Sequence, residues 1–353
     1  MQTFSLKPRI LFGAGALTAL EELRGKRVMV VTDRFFVTSG LLNKVAEHLA
    51  EGSWTVFDKV TPDPSLHLVA EGVAALRAFH AEAIVALGGG SPMDCAKAIR
   101  HFGREEGSAA IPLWCIPTTA GTGSEVTSFA VLTDLDAGVK HPVVDDALLP
   151  EVALLDASFL TGVPPVVTAD TGMDVLAHAL EGYVATGAND FTDAMAERAF
   201  RMAAEHIEGA VAGEQGDREA MLYASCLAGI AFNGAGLGVC HALAHALGGK
   251  YHVAHGRLNA ILLPHVVRAN SRDGRAAKKY GALAKLWGTS GTAQALAGKL
   301  ARLRSRLSMP ERLSEPVAVD EIARTALQDR CAATNPCPAN EEMLRAILRG
   351  VNP

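Results

Sequence analysis

No CxxC pair occurs among the six cysteines of this 353-residue chain. Cys95, Cys115, Cys226, Cys240, Cys331 and Cys337 sit mostly in apolar segments, so they read as reduced core thiols of a cytoplasmic protein, with no disulfide framework. No cluster of Lys and Arg is present and the formal net charge is -5, which excludes a nucleic-acid-binding surface. No apolar run reaches the ~20 residues that a membrane-spanning helix needs, so no membrane partner is expected. The opening "MQTFSLKPRILFGAG" lacks a charged region followed by an apolar one, and no signal peptide is expected. Internal repeats and low-complexity linkers are missing too. What remains is a soluble globular balance, 49% hydrophobic and 20% charged, in a chain long enough for two domains.

Up to about residue 157, short β-branched runs alternate with helical patterns. "RVMVVTD" (27–33), "SWTVFDKV" (53–60), "AEAIVALGGG" (81–90), "LWCIPTT" (113–119) and "FAVLTD" (129–134) read as strands. "GLLNKVAEHLAEG" and "SLHLVAEGVAALRAFH" between them carry apolar residues at helical spacing. Strands apolar on both faces, alternating with helices, predict a parallel sheet covered on both sides. From "DASFL" onward the segments are rich in Ala, Leu, Glu and Met at helical period, which predicts an all-α second half. The expected fold is therefore an α/β domain over 1–157 and an all-helical domain over 158–353.

Two loops in the first half are suited to phosphate. "ALGGGSPMDCAK" (86–97) leads a buried strand through three glycines into a helix, where backbone can approach an anion and helix amides attract it. "PTTAGTGSEVT" (117–127) adds the hydroxyls of Thr118, Thr119, Thr122 and Ser124 at the end of another predicted strand. Two such loops at strand carboxyl ends suit a dinucleotide. Asp33 closes the first clear strand, where a carboxylate can bind ribose hydroxyls and repel a 2'-phosphate, favouring NAD over NADP. An N-cap is an equally good reading of Asp33, and its position well before the glycines is the reverse of the usual order.

The second half carries "TGMDVLAHALEGY", with Asp174 and His178 four apart on one helix face, and "GVCHALAHALGGKYHVAHG", where His241 and His245 repeat that spacing. Gly248 and Gly249 are expected to end that helix, and "HGRLNAILLPH" to start another with His255 near its N-terminus. One carboxylate and two or three imidazoles from three helices make a divalent-metal site. His252 has no helical partner and reads as a loop residue. Taken singly, each member also has a simple role inside the fold.

Together, "GGGSPMDCAK", "PTTAGTGSEVT", "GMDVLAHALEGY" and "HALAHALGGKYHVAHG" resemble the iron-containing (group III) alcohol dehydrogenase family over nearly the whole chain. The resemblance implies a Rossmann-like NAD-binding domain followed by a helical metal domain. It implies metal ligands at Asp174, His178, His241 and His255, with His245 beside the substrate and not a ligand. It places cofactor contacts at Gly88, Gly89, Gly90, Ser91 and Asp94, at Thr118, Thr119 and Thr122, and at Lys140. The implied activity is hydride transfer between a small alcohol and NAD+, with Fe2+ polarising the substrate oxygen and Zn2+ as the alternative metal, in a homodimer or larger homo-oligomer. Within the family, "TADTGMDVLAHALEGYVATGANDFTDAMAE" and "ASCLAGIAFNGAGLGVCHALAHALGG" look most like the 1-propanol/ethanol dehydrogenases of bacterial microcompartments. The rivals are a metal-dependent lyase or cyclase like dehydroquinate synthase, a zinc polyol oxidation like that of glycerol dehydrogenase, and a non-catalytic metal-stabilised binding protein. The lyase would need basic residues to grip an anionic substrate. The side chains around these motifs are mainly apolar and small, so a small neutral substrate is expected.

Overall fold

The computed structural model describes residues 4–49, 53–104, 110–135 and 139–353, with the side chains at 139 and 140 left out. Strands β1 (Arg9–Phe12), β2 (Val28–Val31), β3 (Trp54–Phe57), β4 (Ala83–Gly88) and β5 (Leu113–Pro117) are followed by β6 (Phe129–Asp134), β7 (Val139–Val144) and β8 (Val152–Leu155). Six of them form one sheet in the order β1-β8-β5-β4-β2-β3, with every pairing parallel. Alternation along the strands explains why both faces are apolar. Val28 and Val30 of β2 join one core with Val85 and Leu87 of β4, while Met29 and Val31 join the other with Ile84 and Ala86. The expected parallel sheet is there.

Among the described residues four α-helices accompany the strands: α1 (Arg34–Thr38), α2 (Asn43–Ala46), α3 (Leu66–Phe79) and α4 (Gly90–Gly103). Helix α3 starts at a Ser65 cap on the Leu68 amide and stops at His80 in the left-handed conformation. Three local expectations are corrected. The run "FAVLTD" is a strand, but β6 pairs antiparallel with β7 in a separate two-stranded sheet, Phe129 opposite Val144. Of "GLLNKVAEHLAEG", only the short α2 is α-helical among the described residues. The strands β1 and β8 at one side of the sheet were not expected.

The order of the central strands matters for ligand binding. After β2 the chain moves outward to β3, then returns to the other side of β2 as β4. The strand order thus reverses between β2 and β4, and the crevice outside the carboxyl ends at such a switch point is where open α/β sheets bind ligands. Asp33 follows one of these strands and Gly88–Ser91 the other.

The chain divides into two compact units, one ending at Gly162 and the second starting at Val163. The second is helical throughout: α5 (Pro165–Val184), α6 (Asp190–Ala212), α7 (Gln215–Ala235), α8 (Val239–Tyr251), α9 (His255–Asn270), α10 (Gly274–Leu286), α11 (Ala293–Arg306), α12 (Val319–Leu327) and α13 (Glu341–Val351). Helix α6 is set by an Asn189–Thr192 capping box and closed by Gly213 in the left-handed conformation. The expected stop at Gly248 and Gly249 is wrong. Helix α8 runs through both and ends at His252, itself in the left-handed region with φ 54°. Among the described residues no single helix is long and apolar enough to cross a membrane.

Candidate metal centre and nucleotide loops

In the α/β unit the two small-residue loops pack against each other. Gly88 takes φ +151°, and a Cβ there would meet Pro92 Cγ at 2.4 Å, so no other residue fits the entry to α4. Cβ atoms on Gly89 and Gly90 would lie 3.1 Å from Thr119 Oγ1 and 3.0 Å from Thr122 Cγ2. The Thr118 amide donates to the Gly88 carbonyl at 3.0 Å, and Thr32 Oγ1 donates to the Leu87 carbonyl at 2.8 Å. These bonds register the ends of β2, β4 and β5 side by side. Helix α4 begins at Gly89 without a side-chain cap, so its first amides, including that of Ser91, keep their affinity for an anion.

Asp33 serves as the N-cap of α1, its Oδ1 accepting the Phe35 amide at 2.9 Å. Asp94 is turned inward: Oδ1 accepts from Ser124 Oγ at 2.7 Å and Oδ2 from the Val131 amide at 3.0 Å. Lys97, one turn along and fully buried, was not anticipated. Its Nζ donates to Ser124 Oγ (2.8 Å), Thr127 Oγ1 (3.2 Å) and the Phe129 carbonyl (2.8 Å). Burial lowers the Lys97 pKa, and the Asp94 charge works against that. Asp94 and Lys97 therefore act as an anchor that holds the threonine loop in place. Lys140 has its backbone in β7; its side chain lies outside the described residues.

In the helical unit the four expected ligands come from three helices: Asp174 and His178 from α5, His241 from α8, and His255 from the first turn of α9. Asp174 Oδ1 lies 3.9 Å from His178 Nδ1, 3.5 Å from His241 Nε2 and 3.5 Å from His255 Nε2. The His178 ring stacks on His241 at 4.4 Å and on Phe232 at 4.5 Å. Asp174, His178 and His241 are buried, and ligand atoms of these three fall within 4.8 Å of one another. His255 keeps 38% of its side chain exposed, which makes it the accessible edge of the set.

One amide marks the point where the lone pairs converge. Asn259 Nδ2 donates to Asp174 Oδ1 at 2.7 Å and lies 3.3 Å from His241 Nε2 and 3.1 Å from His255 Nε2. Two amide hydrogens cannot serve three acceptors and the rest of the set as well, whereas a divalent cation can. One carboxylate with imidazole nitrogens is a donor set for Fe(II), Zn, Co or Mn. Burial opposes the Asp174 charge, but His178, His255 and His241 outweigh it and hold its carboxyl far below the usual range. Burial would also lower His241, yet the Asp174 and Glu181 carboxylates raise it to about 9.

Close backbone contact positions α9. A Cβ on Gly256 would sit 2.0 Å from the Asp170 carbonyl oxygen, so only glycine lets this end of α9 touch α5. Arg257 then grips the Asp170 carboxylate through Nε (3.2 Å) and Nη2 (2.9 Å). Beside the expected ligands, His245 stacks on His255 at 5.2 Å, and its Nδ1 contacts Asp329 Oδ2 at 2.9 Å. Burial would raise Asp329, but His245 and the Cys331 amide bring it down to about 2. His252 is exposed at the end of α8, away from these contacts. Sequence reasoning missed Glu181, Asn259 and Asp329. The first two had a readable signal: Glu181 is seven residues after Asp174, and Asn259 four after His255, each on a ligand face.

The sequence profile described as iron-containing alcohol dehydrogenase matches residues 7–157, and that of the Fe-containing alcohol dehydrogenase family, C-terminal, matches 168–351. The chain belongs to the iron-containing alcohol dehydrogenase family. Its relatives there include the 1-propanol dehydrogenase PduQ of Salmonella typhimurium, 41% identical over 99% of both chains. The NADPH-dependent butanol dehydrogenase of Clostridium saccharobutylicum is 36% identical, covering 99% of this chain and 98% of its own. The crystal structure of a 1,3-propanediol oxidoreductase superposes with a TM-score of 0.93 at 36% identity, covering 99% of this chain and all of that one. The iron-containing alcohol dehydrogenase described here is thus an oxidoreductase, interconverting an alcohol and its aldehyde with a nicotinamide cofactor and iron. The lyase, polyol and non-catalytic alternatives are not favoured.

Proposed function

We propose that this enzyme interconverts a small, neutral primary alcohol and its aldehyde, with NAD(H) preferred over NADP(H) and Fe2+ held by Asp174, His178, His241 and His255. In this reading residues 1–157 form the nucleotide domain and 158–353 the metal and substrate domain, in a cytoplasmic homo-oligomer, associated with a bacterial microcompartment as the sequence resemblance implies. The convergence of Asp174 Oδ1 with the His241 and His255 Nε2 atoms on one point carries the reading. A divalent cation bound there supplies Lewis-acid polarisation of the substrate oxygen, and a bound nicotinamide exchanges the hydride.

The chain's own residues do the positioning. Gly88, Gly89, Gly90 and Ser91, with the first amides of α4, bind the pyrophosphate. Thr118, Thr119 and Thr122 line it, and Asp94 supports them from behind. Asp33 binds the adenosine ribose and disfavours a 2'-phosphate, and Lys140 contacts the nicotinamide ribose. His245, held at Nδ1 by Asp329, offers Nε2 to relay the substrate proton.

Anaerobic purification with metal analysis, followed by ethanol, 1-propanol, 1-butanol and glycerol with NAD+ and NADP+, tests this. Turnover is expected with the short primary alcohols, best with NAD+, and lost on chelation. His245→Ala should lower kcat roughly 10²–10⁴-fold and change the pH–rate profile. No NADH formation with any alcohol sinks the activity; an unchanged His245→Ala enzyme sinks the relay.

A further inference from the structure

Helix α8 begins at Gly238, which has no side chain to cap the helix, and its first amides are buried. A helix end buried without acceptors would be unstable, since its first amides have no partner within the helix. The acceptor comes from α5. Glu181, 1% exposed, takes the amides of Gly238 (3.0 Å), Cys240 (2.7 Å) and His241 (3.3 Å). Its Oε2 also contacts His241 Nδ1 at 2.7 Å. Gly238 is small for a reason: a Cβ there would lie 2.6 Å from Glu181 Oε1. One carboxylate therefore closes the helix and grips the ring that the helix carries.

The grip decides which nitrogen of His241 is the ligand. An acceptor at Nδ1 keeps a hydrogen on Nδ1, so Nε2, 3.5 Å from Asp174 Oδ1, is the nitrogen left to bind a cation there. It also adds negative charge behind the ring, which strengthens Nε2 as a donor, and it stops the ring from turning. Outer carboxylates that hold a ligating imidazole in this way change metal affinity by about 10–100-fold.

We propose that Glu181 is the positioning residue that sets the metal affinity of this site, by fixing the His241 ring and the first turn of α8 in one contact. The proposal rests on the reading of His241 as a metal ligand. Asn335 provides a control built into the fold: its Oδ1 accepts the Val239 amide at 3.2 Å, on the same helix end but away from the His241 ring nitrogens, which face Glu181 and Asp174.

The test is Co2+ binding to the chelator-stripped, full-length protein, followed by the Co2+ absorption spectrum under competition with a chelator of known affinity. Glu181→Gln should bind Co2+ about 10–100-fold more weakly than the unsubstituted chain. Asn335→Ala should lower the Tm of the metal-free protein while its Co2+ affinity stays within about twofold. Glu181→Asp, which keeps the charge but withdraws it from the ring, should weaken binding as well and carries the test if Glu181→Gln does not fold. Wild-type affinity in both Glu181 variants overturns the proposal, as does an equal loss in Asn335→Ala. His241→Ala separates the two readings: undiminished Co2+ binding there removes His241 from the ligand set, whatever Glu181 does.

Discussion

Asp33 has two possible uses for one carboxylate. Its Oδ1 caps α1 through the Phe35 amide, and its place beside the β2–β4 switch point suits a ribose. The two uses can be separated, because serine caps a helix as well as aspartate but carries no charge. Asp33→Ser should raise kcat/KM with NADP+ relative to NAD+ and leave the Tm within a degree or so. Asp33→Ala should shift the preference in the same direction and also cost about 1 kcal/mol, read by urea denaturation. An unchanged NADP+/NAD+ ratio in both would leave Asp33 as a cap and nothing more. The reversed order of acid and glycines, odd in the sequence, has a physical cause in the fold. The glycine-bearing strand β4 comes later in the chain but lies directly against β2, Val28 opposite Ala83.

At the level of elements, the proposed metal centre depends on how closely α9 lies on α5. Gly256→Ala places a methyl 2.0 Å from the Asp170 carbonyl, which no rotamer can relieve. The helices must separate, at a cost of roughly 3 kcal/mol, and His255 moves with its helix. A lower Tm together with weaker metal binding is expected; an unaltered metal affinity would mean that His255 is not held by this contact. Which elements could be read beforehand follows from burial. Strands β2, β4 and β5 are buried on both faces and stood out as apolar runs. Strand β1 has only four residues, with an exposed residue at each end, and β8, although as buried as β2, reads VALL with a single β-branched residue, so neither stood out. The β6–β7 pairing is a contact between segments, and no single segment encodes its direction. Helix periodicity put Asp174 with His178 and His241 with His245, and it carries Glu181 onto the Asp174 face; that Glu181 holds His241 and Asp329 holds His245 are contacts between elements, which emerge only on folding.

For the whole molecule, one buried acid ties stability to pH. Glu125 is 1% exposed, and its Oε1 has no hydrogen-bond partner among the described residues. Burial pushes it up from its ordinary 4.5 to about 7, against the attraction of Lys97. Between these values the folded chain keeps a proton that the unfolded chain has lost, so stability falls as pH rises through this window and levels off above it. The difference corresponds to about 3 kcal/mol. Glu125→Gln should therefore be more stable than the unsubstituted enzyme at pH 8 and nearly equal to it at pH 4.5, measured by urea denaturation. Equal gains at both pH values would show that Glu125 is not protonated on folding. No sequence pattern could have announced this, because the cost lies in the surroundings of Glu125.

The run of α8 through Gly248 and Gly249 has a consequence for stability. A Cβ would meet nothing within 4 Å at Gly249 and only ordinary contacts at Gly248, so packing does not demand glycine at either place. Each costs the helix up to about 1 kcal/mol relative to alanine. The last turn is held from outside the helix: Lys250 pairs with Glu321 of α12, and the Tyr251 hydroxyl accepts the Ala318 amide at 2.8 Å. The far end of α8 therefore owes its helical order to tertiary contacts with α12, which carry it through two residues that favour the unfolded chain.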